Sequence, residues 1–200
     1  MLHRTRLEIR PRPSRPCSGR DPLPRTSNVA FRSHTSVGEL VRIDAMRRDD
    51  VAAVAAIDGT APGREEDFRG ELDRPWSHSW VARDERGEAV AFVVVWHVVD
   101  EIHVLHLATR VDRQRQGIGR LLMDEVIAFA RRKHAEHLLL EVRRTNRPAL
   151  GLYRSLGFFA SGVRARYYAD DEDAIEMILA FDPATGDVAR RADEVSVEST

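Results

Sequence analysis

A lone carboxylate, Glu141, interrupts the apolar run HLLLEVRR at 137–144. A buried charge is costly unless it is paired, hydrated or put to use. Further on, the segment NRPALGLYRSLG at 146–157 has helical spacing and sets Tyr153 on one face with Leu150 and Leu156. A carboxylate and a phenol can both move protons, so Glu141 and Tyr153 are the first residues to be explained. A third feature is QRQGIG at 114–119, between a predicted strand and a predicted helix. Its glycines let backbone approach a ligand, the N–H groups at the helix start favour an anion, and Arg115 and Arg120 add positive charge. That is a pyrophosphate cradle in chemical terms, without the glycine pattern of a dinucleotide fold or a P-loop. A fourth is the pair Tyr167–Tyr168, followed by the acidic run DDED.

Each feature also has a plainer explanation. Glu141 could form a salt bridge with Arg143 or another arginine near the strand's edge. Tyr153 could be a core residue, and the two glycines a tight turn. Tyr167 and Tyr168, if they continue a strand, point to opposite faces, so one packs and the other is open to a ligand. The acidic run is either a solvated turn or a patch that attracts a cationic peptide start. His97, His103 and His106 show no carboxylate–histidine spacing of a metal site, so they are read as structural or exposed, and no metal is expected.

The elements that must position these residues follow from periodicity and punctuation. VRIDAM (41–46) alternates as a strand, and DDVAAVAAID (49–58) has helical spacing with Asp49 or Asp50 as its cap. A polar helix over 65–74 follows, then a hairpin of SWVARD (79–84) and EAVAFVVVWHVV (88–99), then a strand over 101–111. Ile118, Leu122, Val126 and Phe129 share one helical face, and HLLLEVRR reads as a buried strand. Pro148 opens the next helix and Gly157 stops it. FFASGVRARYY (158–168) and AIEMILAF (174–181) close as strands, and Pro183 ends the second. The order β-α-α-β-β-β-α-β-α-β-β is an α/β arrangement: a mixed central sheet flanked by helices. Its strands at 101–111 and 137–144 should be parallel, joined by a right-handed crossover.

Three parts are expected: a disordered Arg/Pro-rich tail over 1–38, a folded domain over 39–182, and a flexible C-terminal tail over 183–200. The tail holds five prolines among eight arginines, which disfavours the amphipathic helix of a transit peptide. Formal net charge is −1, so no global field draws the chain to nucleic acid or membrane, and no specific nucleic-acid binding is expected. The longest apolar run, at 89–96, is too short to span a bilayer. A single cysteine, Cys17, allows no intrachain disulfide, which fits a cytoplasmic protein. The oligomeric expectation is a monomer.

Together, Gln114-x-x-Gly117-x-Gly119, the EVRRTNRPALGLYRSLGF segment and RARYYADDEDAIEM resemble the GNAT superfamily of N-acetyltransferases, over residues 40–181. Within it the chain is most similar to the RimI-type N-terminal acetyltransferases. The resemblance implies a GNAT fold and acetyl-CoA as co-substrate. Leu107, Ala108 and Thr109 would pair with the pantetheine arm, and the backbone of Arg115, Gln116, Gly117, Ile118, Gly119 and Arg120 would hold the pyrophosphate. Asn146 and Tyr153 would lie beside the thioester, with Glu141 as base and Tyr153 as acid. Tyr167 and Tyr168 would line the groove for the substrate's N-terminus. The implied partner is a protein N-terminus, the alanine of a small-subunit ribosomal protein. In the loop at 60–64 Pro62 is kept, but Gly63 and Arg64 stand where the family usually has a bulky, aromatic run. That keeps two other readings in play: acetylation of a small-molecule amine, and a non-catalytic acetyl-CoA-binding module.

The chemistry fits an N-terminal acceptor. An α-amine with a pKa of about 8 is roughly one-tenth neutral at neutral pH, whereas a lysine is neutral at well below one part in a thousand. Such an acceptor needs only modest help from a base.

Overall fold

The computed structural model describes residues 41–59 and 64–197. The expectations for the 1–38 tail and for the loop at 60–63 lie outside them. The described strands are β1 (Arg42–Ala45), β2 (Ser77–Arg83), β3 (Ala89–Val98), β4 (Glu101–Thr109), β5 (His137–Arg143), β6 (Phe159–Arg164), β7 (Ala174–Phe181) and β8 (Val188–Ala189). The α-helices are α1 (Val51–Asp58), α2 (Arg64–Asp73), α3 (Ile118–Arg132) and α4 (Arg147–Leu156). The strands form one sheet in the order β1-β2-β3-β4-β5-β7-β6, with β8 beside β7. As expected, β4 and β5 are parallel and are crossed by α3; the other pairs are antiparallel.

Alternation along the strands sorts the core into two layers. Val93, Val95, Leu138, Leu140, Val142, Ile175 and Met177 point to the side carrying α3 and α4. Phe92, Val94 and Val81 point to the other side, where Val51 and Val54 of α1 and Phe68 of α2 cover them. Glu141, between Leu140 and Val142, therefore projects to the α1–α2 side. Its side chain is 25% exposed there, so the shelter is partial.

Asp50 precedes α1 as expected, but it is not a side-chain cap. Its carboxylate accepts from the Arg47 N–H at 2.8 Å and from the Arg83 guanidinium at 2.7 Å. Asn146 does cap α4, accepting from the Ala149 N–H at 3.2 Å, with Pro148 in the first turn and Gly157 left-handed at the end.

Two expectations are corrected. Strand β6 stops at Arg164, so Tyr167 and Tyr168 stand in a turn between β6 and β7 rather than on a strand. Their rings do not diverge to opposite faces; they meet edge to face at 5.2 Å. The polar composition after Pro183 also misleads, because residues 183–197 return to the domain. β8 pairs with β7, and Val188 packs against Gly157 at the end of α4. Asp193 accepts from the Ala160 N–H at 2.8 Å, and Val197 is buried in the core. A few spaced valines and one aspartate are enough to hold this segment, and they leave no periodic signal.

Candidate active site

The parallel ladder between β4 and β5 ends at Val104–Leu140, although β4 continues to Thr109 and β5 to Arg143. Beyond that pair the two strands part. The cause lies on the other side of β4. The register with β3 slips between Val94–His106 and Val95–Val104, leaving Leu105 as an extra residue. Such a bulge bends and twists its strand. It also sets Leu105 and His106, two consecutive residues, toward the α1–α2 side, where Leu105 meets the core and His106 lies 5.9 Å from the Phe68 ring.

The split opens a groove of about 820 Å³. Leu107, Ala108 and Thr109 form one wall, and the start of α3 closes one end with Arg115, Gly117, Ile118, Gly119 and Arg120. Glu141, Asn146, Tyr153 and Tyr168 complete the opposite wall. Of the residues singled out from the sequence, the groove thus gathers all but two. Gln116 turns its amide to the Asp112 carbonyl at 3.3 Å, and Tyr167 lies beside Arg164, 5.5 Å from its guanidinium.

The loop at 114–117 opens directly onto the start of α3. Gly117 is left-handed, with φ 80°, and precedes α3 without a side-chain cap. Leu121 makes the first helical bond, to the Gly117 carbonyl, so the N–H groups of Ile118, Gly119 and Arg120 lie ahead of it. Gln114 donates to the Thr109 carbonyl at 3.1 Å and fastens the loop to the strand end. Arg120 donates to Ser155 of α4 at 2.9 Å. Gly119 is different from Gly117: a Cβ added there would be in ordinary contact, 3.7 Å from Leu152 and 3.8 Å from the Thr109 hydroxyl. The protein itself leaves that space, and a ligand backbone could fill it.

Tyr153 is buried on α4 with its ring 5.6 Å from Phe158. Burial, reinforced by the neighbouring Tyr168 phenol, pushes its hydroxyl well above the ordinary phenol range, so it stays protonated across the physiological range. Burial likewise pushes Tyr168 up to about 12, against the pull of Arg143, whose guanidinium stacks 4.0 Å from the Tyr168 ring. Tyr153 thus packs in the core and also lines the groove.

The acidic run has a clear occupation. Arg143 bonds Asp170 at 2.9 Å and Glu172 at 2.6 Å, Arg144 bonds Asp173 at 2.9 Å, and Glu172 also accepts from the Thr145 hydroxyl and N–H. Those bonds from Thr145, then Arg143, hold the Glu172 carboxyl down at about 2. The run therefore latches the tyrosine turn to the end of β5. Glu141 has an ion-pair partner at 3.5 Å, Arg164 of β6.

Sequence reasoning missed the residues that face Glu141's side of the groove. His106 and Asp58 both line it, 3.9 Å apart, with Arg64 3.3 Å from His106 and 3.5 Å from Asp58. Burial, then the Arg64 charge, lowers the His106 pKa. Arg113 lines the groove as well. The bulge that aims His106 has no local signature, so spacing alone could not find it. Among the described residues no group of three or more His, Cys, Asp or Glu side chains is placed to hold a metal ion, and no helix is long and apolar enough to cross a membrane.

The split parallel pair is followed along the chain by an uncapped helix start. The acetyltransferase (GNAT) family model matches residues 44–158. This chain belongs to the GNAT family. It is an acyltransferase with RimI-like relatives, and acetyltransferases of this family use acetyl-CoA. It is 35% identical over 119 residues to the ribosomal protein bS18-alanine N-acetyltransferase of Escherichia coli K12, covering 52% of this chain and 80% of that one. It is 34% identical over 139 residues to the N-alpha-acetyltransferase RimI of Mycobacterium tuberculosis, covering 66% of this chain and 84% of that one. The crystal structure of the Escherichia coli ribosomal-protein-S18-alanine N-acetyltransferase superimposes with a TM-score of 0.65 at 32% identity, over 70% of this chain and 93% of that one.

Proposed function

We propose that this GNAT acetyltransferase moves the acetyl group of acetyl-CoA to the N-terminal alanine of a small-subunit ribosomal protein, of the kind its relatives are named for. The observation that carries the reading is the meeting of Glu141 and Tyr153 in one groove, between the unpaired edge of β4 and the open start of α3.

Acetyl-CoA fits these residues. The backbone edge of Leu107, Ala108 and Thr109 would pair with the pantetheine amides as a strand would. The N–H groups at 115–120, with Arg115 and Arg120, would hold the pyrophosphate. Asn146 would border the thioester end. Tyr167 and Tyr168 would shape the entry for the peptide, Tyr168 from the groove wall and Tyr167 from behind it.

In the reaction, Glu141 takes a proton from the acceptor ammonium, directly or through a water. The freed amine attacks the thioester carbonyl, and a C–N bond forms as the C–S bond breaks. Tyr153 gives a proton to the departing sulfur, a thiolate whose own pKa is about 8.5, and the second proton that the attacking nitrogen sheds on becoming an amide returns the phenol to its neutral form. No step requires a metal. The test is mass spectrometry of an alanine-starting peptide with the bS18 N-terminal sequence, incubated with enzyme and acetyl-CoA. A gain of one acetyl at the α-amine is expected, and no gain on that peptide counts against the reading.

A further inference from the structure

Glu141 stands in a row of three residues that crosses three strands. Glu176 of β7 is its direct ladder partner, and Gly162 of β6 is the partner of Glu176. Two carboxylates side by side on one sheet face repel. Arg164, two residues along β6 from Gly162, lies between them. Its Nε donates to Glu176 Oε1 at 2.5 Å, while its Nη1 stays 3.5 Å from Glu141 Oε1. The first is a close charge-assisted hydrogen bond, and the second is a looser ion pair.

Gly162 makes that asymmetry possible. The register between β6 and β7 slips between Ala160 and Gly162, which brings Gly162 opposite Glu176. Gly162 is not among the residues with positive φ, so its backbone does not call for glycine. Yet a Cβ built there would overlap the Glu176 carboxylate. The space a side chain would take is where Glu176 crosses β6 to reach Arg164.

We propose that Glu176 is a positioning residue for acetyl transfer: it holds Arg164 off Glu141, so that the Glu141 carboxylate stays open to the acceptor's ammonium, and Gly162 supplies the space for it. The inference rests on the reading of Glu141 as the base. The other charged or titratable groups around Glu141 have partners of their own or stand across the groove. Arg143 is held by Asp170 and Glu172, Tyr168 packs on Tyr167 and Arg143, Tyr167 lies against Arg164 itself, and His106 lies with Asp58 and Arg64. With Glu176 neutralised, Arg164 loses its closer anion and closes on Glu141. It then competes with the acceptor's cation for the same oxygens.

The test is steady-state kinetics of the full chain with an alanine-starting peptide, for Glu176→Gln, Gly162→Ala, the double variant Glu176→Gln/Arg164→Met, and Glu141→Gln. In Glu176→Gln, kcat/KM for the peptide is expected to fall roughly tenfold, the scale of one charge-assisted contact. KM for acetyl-CoA should not change. Gly162→Ala should show a smaller fall of the same kind, because it displaces the carboxylate without removing it. Adding Arg164→Met to Glu176→Gln should recover most of the loss, which repair of a merely structural defect would not do. With Glu141→Gln inactive, unchanged peptide kinetics in Glu176→Gln, or a loss that Arg164→Met fails to relieve, overturns the proposal. If Glu141→Gln keeps wild-type turnover, the base reading itself fails, and the role of Glu176 falls with it.

Discussion

Val104 and Leu140 form the last pair of the parallel ladder between β4 and β5, and past them the strands separate into the walls of the groove. The bulge at Leu105 turns β4 away, and the edge of Leu107–Thr109 is left facing open space instead of β5. At the far end of that edge sits the start of α3.

The two glycines of the cradle should behave differently when replaced. Gly119→Ala places its methyl at ordinary contact distance from Leu152 and Thr109, so stability should change by no more than about 0.5 kcal/mol. The same methyl narrows the floor of the groove, and KM for acetyl-CoA should rise roughly tenfold, equivalent to about 1.4 kcal/mol. Gly117→Ala forces a side chain into a left-handed backbone and should cost about 1–2 kcal/mol of stability. Thermal unfolding alongside cofactor titration separates the two effects.

Tyr153 and Tyr168 set the alkaline behaviour. Both phenols are held above their ordinary value, chiefly by burial. The native state thus prefers the protonated phenol, and that contribution is complete below about pH 10, the unfolded value. It is lost as pH climbs through the folded pKa values, which for Tyr168 is about 12. Unfolding midpoints should therefore decline above about pH 10, and Tyr153→Phe should decline less steeply. A wild-type enzyme whose rate falls with phenol ionisation below about pH 9 would contradict the buried, protonated acid.

The acid side belongs to the latch on the tyrosine turn. Glu172 has its pKa lowered to about 2, so the latch is complete above the ordinary carboxylate value and is lost as pH falls toward 2. Glu172→Gln should weaken the hold on Arg143 and Thr145 and free the turn that carries Tyr168. The expected result is a KM for peptide raised several-fold, roughly the worth of one charged hydrogen bond, with KM for acetyl-CoA unchanged. Equal rises in both constants would assign the latch to the fold as a whole.

Much of this arrangement is legible in the sequence. Period-two and helical spacing locate the strands and helices up to Phe181, and the parallel β4–β5 pair follows from a helix between two strands. The cradle is legible because Gly117 is needed for its backbone conformation and Gly119 for the space beside it. What escapes is decided by pairing between distant segments. The bulge at Leu105 depends on register with β3, and the bond between Arg164 and Glu176 depends on the row that joins β6 to β7. The turn of Tyr167–Tyr168 is invisible because RARYY has strand-like composition, while its acidic neighbours are drawn back by Arg143 and Arg144. Residues 183–197 escape for the opposite reason, since a polar segment is anchored by a few valines and by Asp193.

The central claim is that Glu141 and Tyr153 carry proton transfer in acetylation of a peptide N-terminus. Its most direct test is thiol release from acetyl-CoA by wild type, Glu141→Gln and Tyr153→Phe. The acceptors are alanine-starting peptides, a lysine peptide with a blocked N-terminus, and free polyamines. The account predicts turnover with free peptide N-termini only, reduced about a hundredfold or more in each variant, with KM for acetyl-CoA little changed. Turnover confined to polyamines, or wild-type rates in both variants, would contradict it.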